Sequence, residues 1–258
     1  VKIPEGLELV YWDYYSPDEA HYDGMIEAHQ KLKPGTWFAG GLWKWTGYAP
    51  HNGYSMKITK AALASCREHG VQDVFLTMWG DDGGECSPFM LLPSLFYASE
   101  LAKGKTNDET IKVHFAQRFG AAFDDFMQLD LPGTRNGLDD NVRNLDKFLL
   151  YNDPFMGMMD KTVLPSEGAQ FGACAEKLEA LQTLPEWGYL FRTLGALCRV
   201  LEIKAELGVR IHEAYRTGDK TALCAMLTEL DETLARLDRF HDAYRAQWMQ
   251  ENKPHGFD

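Results

Sequence analysis

The residues best suited to chemistry gather in one stretch, Thr77-Met78-Trp79-Gly80-Asp81-Asp82-Gly83-Gly84-Glu85-Cys86-Ser87, where glycines space three carboxylates, Asp81, Asp82 and Glu85. Such a set could accept hydrogen bonds from a polyhydroxy ligand, hold Mg²⁺ or Ca²⁺, or supply a general acid and base. The plainer reading is that Asp81 and Asp82 cap a turn or the following helix. Two aromatic clusters precede it, Tyr11-Trp12-Asp13-Tyr14-Tyr15 and Leu42-Trp43-Lys44-Trp45-Thr46-Gly47-Tyr48. Flat aromatic faces beside carboxylates suit a sugar, whose C–H faces pack on Trp or Tyr while its hydroxyls need charged or amide partners. For any one aromatic, core packing is the simpler reading; recurrence at three places favours a ligand. Cys86 as a nucleophile would need a positioned base, and His51 and His69 carry no signature of one. The eight histidines lack zinc spacing, and Gly40-Gly41 and Gly83-Gly84 lack a phosphate-loop frame. No cofactor is expected.

The elements that must position these groups are legible as alternating apolar and amphipathic runs. Leu7 to Trp12, Thr36 to Leu42 and Val71 to Trp79 read as strands; Ser16 to Leu32, Ser55 to His69 and Pro88 to Ala102 read as helices. Three βα units in succession imply parallel pairing, and the strands lack polar alternation, as expected when both faces are covered. Each polar or aromatic cluster then falls just after a strand, where parallel α/β folds place their active sites. After Lys103 the strand signals stop. Turn-rich stretches near Leu131-Pro132-Gly133 and from Pro154 to Gly168 interrupt a helical pattern. Trp187 to Tyr215 carries an apolar stripe through Leu190, Leu194, Leu197, Leu201, Ala205 and Ile211. Past Thr217-Gly218-Asp219 a second stripe runs from Leu223 to Trp248, predicting an antiparallel helix pair. The stripes are most simply core, with a subunit interface as the alternative.

Composition narrows the function classes. Twenty-six Lys plus Arg against 38 Asp plus Glu give a net charge of −12, which repels phosphate backbones, so nucleic acid is not an expected partner. No apolar run approaches the roughly 18 residues of a membrane span. Five cysteines without CxxC pairs suit reduced thiols in a cytoplasm. The chain opens at Val1 without Met or a signal pattern, so it is expected to be processed, trimmed or cut from something longer.

Together the three strand ends resemble the last third of the barrel in family 20 glycoside hydrolases, the β-N-acetylhexosaminidases, closest to the bacterial exo-β-N-acetylglucosaminidase branch with a C-terminal helical domain. The matching motifs are Val10-Tyr11-Trp12-Asp13, Gly40-Gly41-Leu42-Trp43-Lys44-Trp45 and Met78-Trp79-Gly80-Asp81, with the ending Trp248 to Asp258 also similar. The resemblance implies that residues 1–103 are strands six to eight of a (β/α)8 TIM barrel and that 104–258 form an α-helical domain, with a homodimer through it as an option.

It also implies substrate-assisted hydrolysis, in which the substrate's own 2-acetamido oxygen attacks the anomeric carbon, releasing terminal β-N-acetylglucosamine from an oligosaccharide or glycoconjugate with retention. By matched position Trp79 would stack on the sugar, Asp81 would accept from its outer hydroxyls, and Trp12 and Trp43 would wall the acetamide pocket. Trp45, Asp82 and Glu85 join the substrate-binding set. The family's acetamide-orienting Tyr is replaced at the matching place by Lys44, leaving Tyr14 or Tyr48 as substitutes. The family's catalytic Asp-Glu pair ends the fourth strand, and the pairs here, Asp18-Glu19, Asp108-Glu109 and Asp231-Glu232, fall in helical stretches. The chain is therefore expected to be the inactive C-terminal portion of a longer enzyme. The alternative is a non-catalytic carbohydrate-binding or dimerisation module.

Overall fold

A computed structural model describes residues 3–135, 137–138 and 141–257, and only the backbone of Asp82. The chain divides into two compact units. The first comprises Val1–Thr46, Pro50–Asp130 and Leu138–Val142; the second comprises Gly47–Ala49, Leu131–Gly137 and Arg143–Asp258. None of the described helices is long and apolar enough to cross a membrane.

The first unit is built on three parallel strands, β1 (Val10–Trp12), β2 (Trp37–Gly41) and β3 (Val74–Thr77), in the order β1-β2-β3. The register pairs Val10 with Trp37 and Phe38 with Val74. They are shorter than the apolar runs that announce them, because β1 and β3 are edges and pair only where β2 runs beside them. Helix α1 (Glu19–Leu32) returns from β1 to β2, its N-terminus capped by Asp18, whose carboxylate accepts from the Ala20 N–H. Helix α2 (Asn52–Glu68) returns from β2 to β3. It starts three residues before the expected Ser55, because distant groups hold its first turn: Asp130 accepts from the Gly53 N–H and the Asn52 side chain, both at 2.9 Å.

Tyr11 and Phe38 point to one face of the sheet, where Tyr22, Ile26, Ala61, Ala62 and Cys66 bury them. On the opposite face Val10, Trp12, Trp37 and Phe75 remain 41%, 50%, 37% and 43% exposed. That face is apolar and open, although parallel sheets ordinarily have both faces covered. Beyond β3 a 3₁₀ turn (Pro88–Leu91) leads into α3 (Leu92–Ala102). The helix expected from Pro88 begins later because Pro93 lacks the N–H that such a helix would bond to the Phe89 carbonyl, so Pro93 is accommodated in the first turn of α3 instead. Leu101 and Tyr97 pack with Leu63 and with Ile111 of α4 (Asp108–Phe119); α5 (Phe123–Met127) follows.

The second unit holds α6 (Leu145–Tyr151), α7 (Glu167–Leu181), α8 (Gly188–Thr217) and α9 (Lys220–Glu251). Gly218, with φ of +73°, ends α8 in the left-handed conformation, and Asp219 caps α9 by accepting from Ala222 N–H at 2.9 Å. The two long helices then run antiparallel, with Met226 on Leu207, Ile211 and Ala214, Glu229 beside Arg210, and Arg236 beside Glu202. The stripe of α8 is buried as expected. That of α9 is buried only in part: Met226, Thr233, Phe240 and Gln247 face inward, whereas Leu227 and Leu234 are 60% and 61% exposed. As the outermost helix, α9 packs on one side and follows a seven-residue spacing.

Candidate functional site

The three clusters meet at the C-terminal edge of the sheet. Trp12, the last residue of β1, stacks on Trp79, two residues past β3, with centroids 5.5 Å apart and planes at 17°. Trp43 and Trp45, past β2, stack at 4.4 Å. Tyr14 links the groups, its ring edge-on to Trp43 and Trp45 at 5.9 and 5.3 Å. Burial raises the Tyr14 phenol above its ordinary value, Tyr15 adds to that rise, Trp79 opposes it, and the charge of Asp81 raises it further. Trp12, Tyr14, Trp43, Trp45, Trp79 and Asp81 are therefore brought into one neighbourhood.

Their exposures differ. Trp12 and Trp79 are 50% and 38% exposed and Trp45 is half-buried, so these present free aromatic surface. Trp43 is buried beneath Trp45, its indole N–H donating to the Tyr14 carbonyl at 3.0 Å and its backbone N–H to Ser55 Oγ at 2.8 Å. It backs the aromatic wall instead of facing outward. Asp81 is exposed in a 3₁₀ turn (Asp81–Gly83) closed by Gly84 at φ +67°. Glu85 is half-buried and folds back so that a Cβ at Gly83 would lie 3.1 Å from its carboxylate. The Asp82 side chain lies outside the described residues. Tyr48 belongs to the second unit, where its ring meets Phe240 and Tyr244 edge-on and its hydroxyl lies 3.1 Å from that of Tyr151. The segment Gly47–Ala49 is drawn there by Asp146, whose buried carboxylate accepts from the N–H groups of Tyr48 and Ala49 at 2.7 and 2.8 Å.

Several neighbours escape a reading of the sequence. Tyr54 sets its ring edge-on to Trp43 at 5.3 Å and donates to the Tyr15 carbonyl at 2.8 Å; it sits in the first turn of α2, which the sequence places in a loop. Asp13 holds the turn that carries Tyr14, accepting from Tyr11 Oη at 2.8 Å and the Tyr15 N–H at 3.0 Å, with His21 Nε2 at 2.7 Å. Burial would raise its carboxyl, but these hydrogen bonds outweigh burial and hold it below the usual range. Lys44 is buried, and its ammonium donates to the Trp79 carbonyl at 3.3 Å, tying the end of β2 to the loop after β3. Cys86 is fully buried.

A parallel α/β sheet with aromatic groups along its C-terminal edge, accompanied by a helical unit, is the class of protein these features define. The chain belongs to glycoside hydrolase family 20: the family model described as "Glycoside Hydrolase 20C C-terminal domain" matches residues 124–258, more than half of its length. That match begins within α5 and runs through α9. A comparison with curated protein sequences finds no match.

Proposed function

We propose that this chain supplies the last three βα units and the C-terminal helical domain of a retaining exo-β-N-acetylglucosaminidase that acts by substrate-assisted catalysis. The observation that carries the reading is the convergence of Trp12, Tyr14, Trp45, Trp79 and Asp81 at the C-terminal edge of three parallel strands. That edge is where a (β/α)8 barrel opens its site. The apolar open face formed by Val10, Trp12, Trp37 and Phe75 supports the same reading, since it has the character of a barrel interior awaiting the remaining strands.

In this scheme an exposed aromatic face, Trp79 first, receives the pyranose, and Asp81 accepts hydrogen bonds from its outer hydroxyls. Trp12 and the Trp45–Trp43 stack wall the acetamide. Tyr14, edge-on to Trp43 and Trp45, is the phenol that would orient it. The acetamide oxygen closes on the anomeric carbon to give an oxazolinium-type intermediate, which water opens with net retention. The Asp-Glu pair that polarises the acetamide and protonates the leaving oxygen comes from outside this chain. Among the described residues Asp18 caps α1, Asp108-Glu109 opens α4 and Asp231-Glu232 lies inside α9, so none ends a strand. Five free cysteines fit a cytoplasmic setting. The test is kinetic: in the enzyme extended upstream to include the acid pair, Asp81→Ala raises KM and lowers kcat together for a chromogenic N-acetyl-β-glucosaminide. Unchanged kinetics would remove Asp81 from the site.

A second reading, self-association through the helical unit, is favoured by the exposed Leu227 and Leu234 of α9. Light scattering on the wild type and on Leu227→Glu/Leu234→Glu tests it: a dimer that becomes monomeric supports the reading, and a wild-type monomer ends it.

A further inference from the structure

The helical unit carries a groove that the sugar cluster does not explain. It is a cavity of about 520 Å³ along the line where α8 faces α9, beside the end of α7, within the size range of small-ligand pockets. Small side chains create it: Ala196 of α8 and Ala243 and Ala246 of α9 stand where larger residues would close the helix pair. Around this floor stand four of the chain's eleven arginines, in a protein of net charge −12.

Two of the four are fixed in place. Arg199 grips Glu179 with two hydrogen bonds at 2.9 and 2.7 Å, and Arg236 bridges Glu202 and Glu232 at 2.6 and 2.8 Å. The other two retain donors. Arg239 only shares Glu232 with Arg236, at 3.1 Å, and Arg192 meets no acceptor among the described residues. Asp242 is the remaining carboxylate of the lining; it is 84% exposed at the rim, and His241 lies 3.7 Å from it. On the groove wall Gln247 is 3% exposed, yet its buried Oε1 has no hydrogen-bond partner. An unpaired buried amide oxygen costs about 1–3 kcal/mol, which a ligand hydroxyl or N–H would recover. A guanidinium fork fits a carboxylate with two parallel hydrogen bonds. Gln182 and Gln250 add further amides that suit hydroxyl groups.

We propose that this groove is a second ligand site that takes a small hydroxylated carboxylate, a sugar acid in chemical class, with Arg192 and Arg239 on the carboxylate and Gln247 on a hydroxyl. The site lies wholly within the second unit and does not depend on the aromatic cluster. Isothermal titration of the full chain with glucuronate and with N-acetylneuraminate tests it, using glucose and acetate as controls. The sugar acids should bind saturably with Kd near or below about 1 mM, and glucose and acetate at least about tenfold more weakly. Arg192→Gln, at an exposed side chain whose loss leaves the fold intact, should weaken binding about tenfold or more. Ala246→Trp, which fills the groove, should abolish it, with circular dichroism confirming a folded protein. Trp79→Ala should leave it unchanged, so failure here and failure of the glycosidase reading are separable. No saturable heat from either sugar acid, acetate binding as well as glucuronate, or binding untouched by Arg192→Gln would overturn the proposal.

Discussion

The ring of Tyr14 lies directly over Gly41, so that a Cβ at position 41 would stand 2.8 Å from two of its ring carbons. The last residue of β2 is thus a glycine because a phenol from the loop after β1 occupies its side-chain space. Gly41→Ala should displace Tyr14, and with it the edge contacts to Trp43 and Trp45, while sparing the far face of the sheet. In the extended enzyme kcat/KM should fall about 10- to 100-fold, the scale of a misplaced positioning group. Near-ultraviolet circular dichroism should change while the far-ultraviolet spectrum does not; wild-type kinetics in Gly41→Ala would deny Tyr14 a role.

Lys44 bears on the same site by another route. Its hydrogen bond to the Trp79 carbonyl ties together the two loops that carry the aromatic wall. Lys44→Met, which keeps the stem and removes the ammonium, should loosen Trp79 and raise KM about three- to tenfold with a smaller change in kcat, the mark of lost ground-state binding. A fall in kcat with KM unchanged would instead assign the ammonium to the chemical step.

Glu100 predicts a pH effect outside the site. Lys105, His114 and Lys103 surround its carboxylate, hold its pKa at about 2, and staple the end of α3 to the loop before α4. A carboxyl depressed below its unfolded value of 4.5 contributes stability that is present above that value and lost as pH falls toward 2. Because Lys103 and Lys105 are partly exposed, the contribution is discounted, and Glu100→Gln should cost about 1–2 kcal/mol at pH 7. The difference from wild type should shrink steadily below pH 5. A difference independent of pH between 7 and 3 would contradict the assignment.

Asp146 predicts the loss of a long-range tether. Its carboxylate is fully buried, burial raises its pKa, and it accepts from the N–H groups of Tyr48 and Ala49, 97 or more residues away in sequence. Asp146→Ala should destabilise the helical unit by about 2–4 kcal/mol, by orphaning two buried N–H groups. Asp146→Asn, which keeps an acceptor, should recover most of the loss. Equal melting temperatures for wild type and Asp146→Ala would refute the tether.

These tethers mark where the sequence stops being legible. The three strands and the long helix pair are readable because apolar periodicity and Gly218 are local signals. The start of α2 is not, because Asn52 and Gly53 are held by Asp130, far along the chain. In sequence Tyr48 lies close to Trp43 and Trp45 and stands with Tyr14 as a substitute for the acetamide-orienting Tyr, yet Asp146 draws its segment into the helical unit. The aromatic cluster could be located from the sequence, whereas the burial of Trp43 beneath Trp45 depends on the partners that Ser55 and Tyr14 supply. The groove with Arg192 and Gln247 left no trace, since an arginine on an amphipathic helix reads as a solvated face until the opposing alanines are seen.

The central claim is that the aromatic edge is the sugar-binding side of a site whose acid pair lies outside this chain. The most direct test is hydrolysis of a 4-nitrophenyl N-acetyl-β-glucosaminide by the 258-residue chain alone and by the enzyme extended upstream to a strand ending in Asp-Glu. The extended enzyme should turn over with retention and lose at least about a hundredfold in kcat/KM on Trp79→Ala, and the chain alone should release no nitrophenol. Turnover by the chain alone, or an extended enzyme indifferent to Trp79, would contradict it.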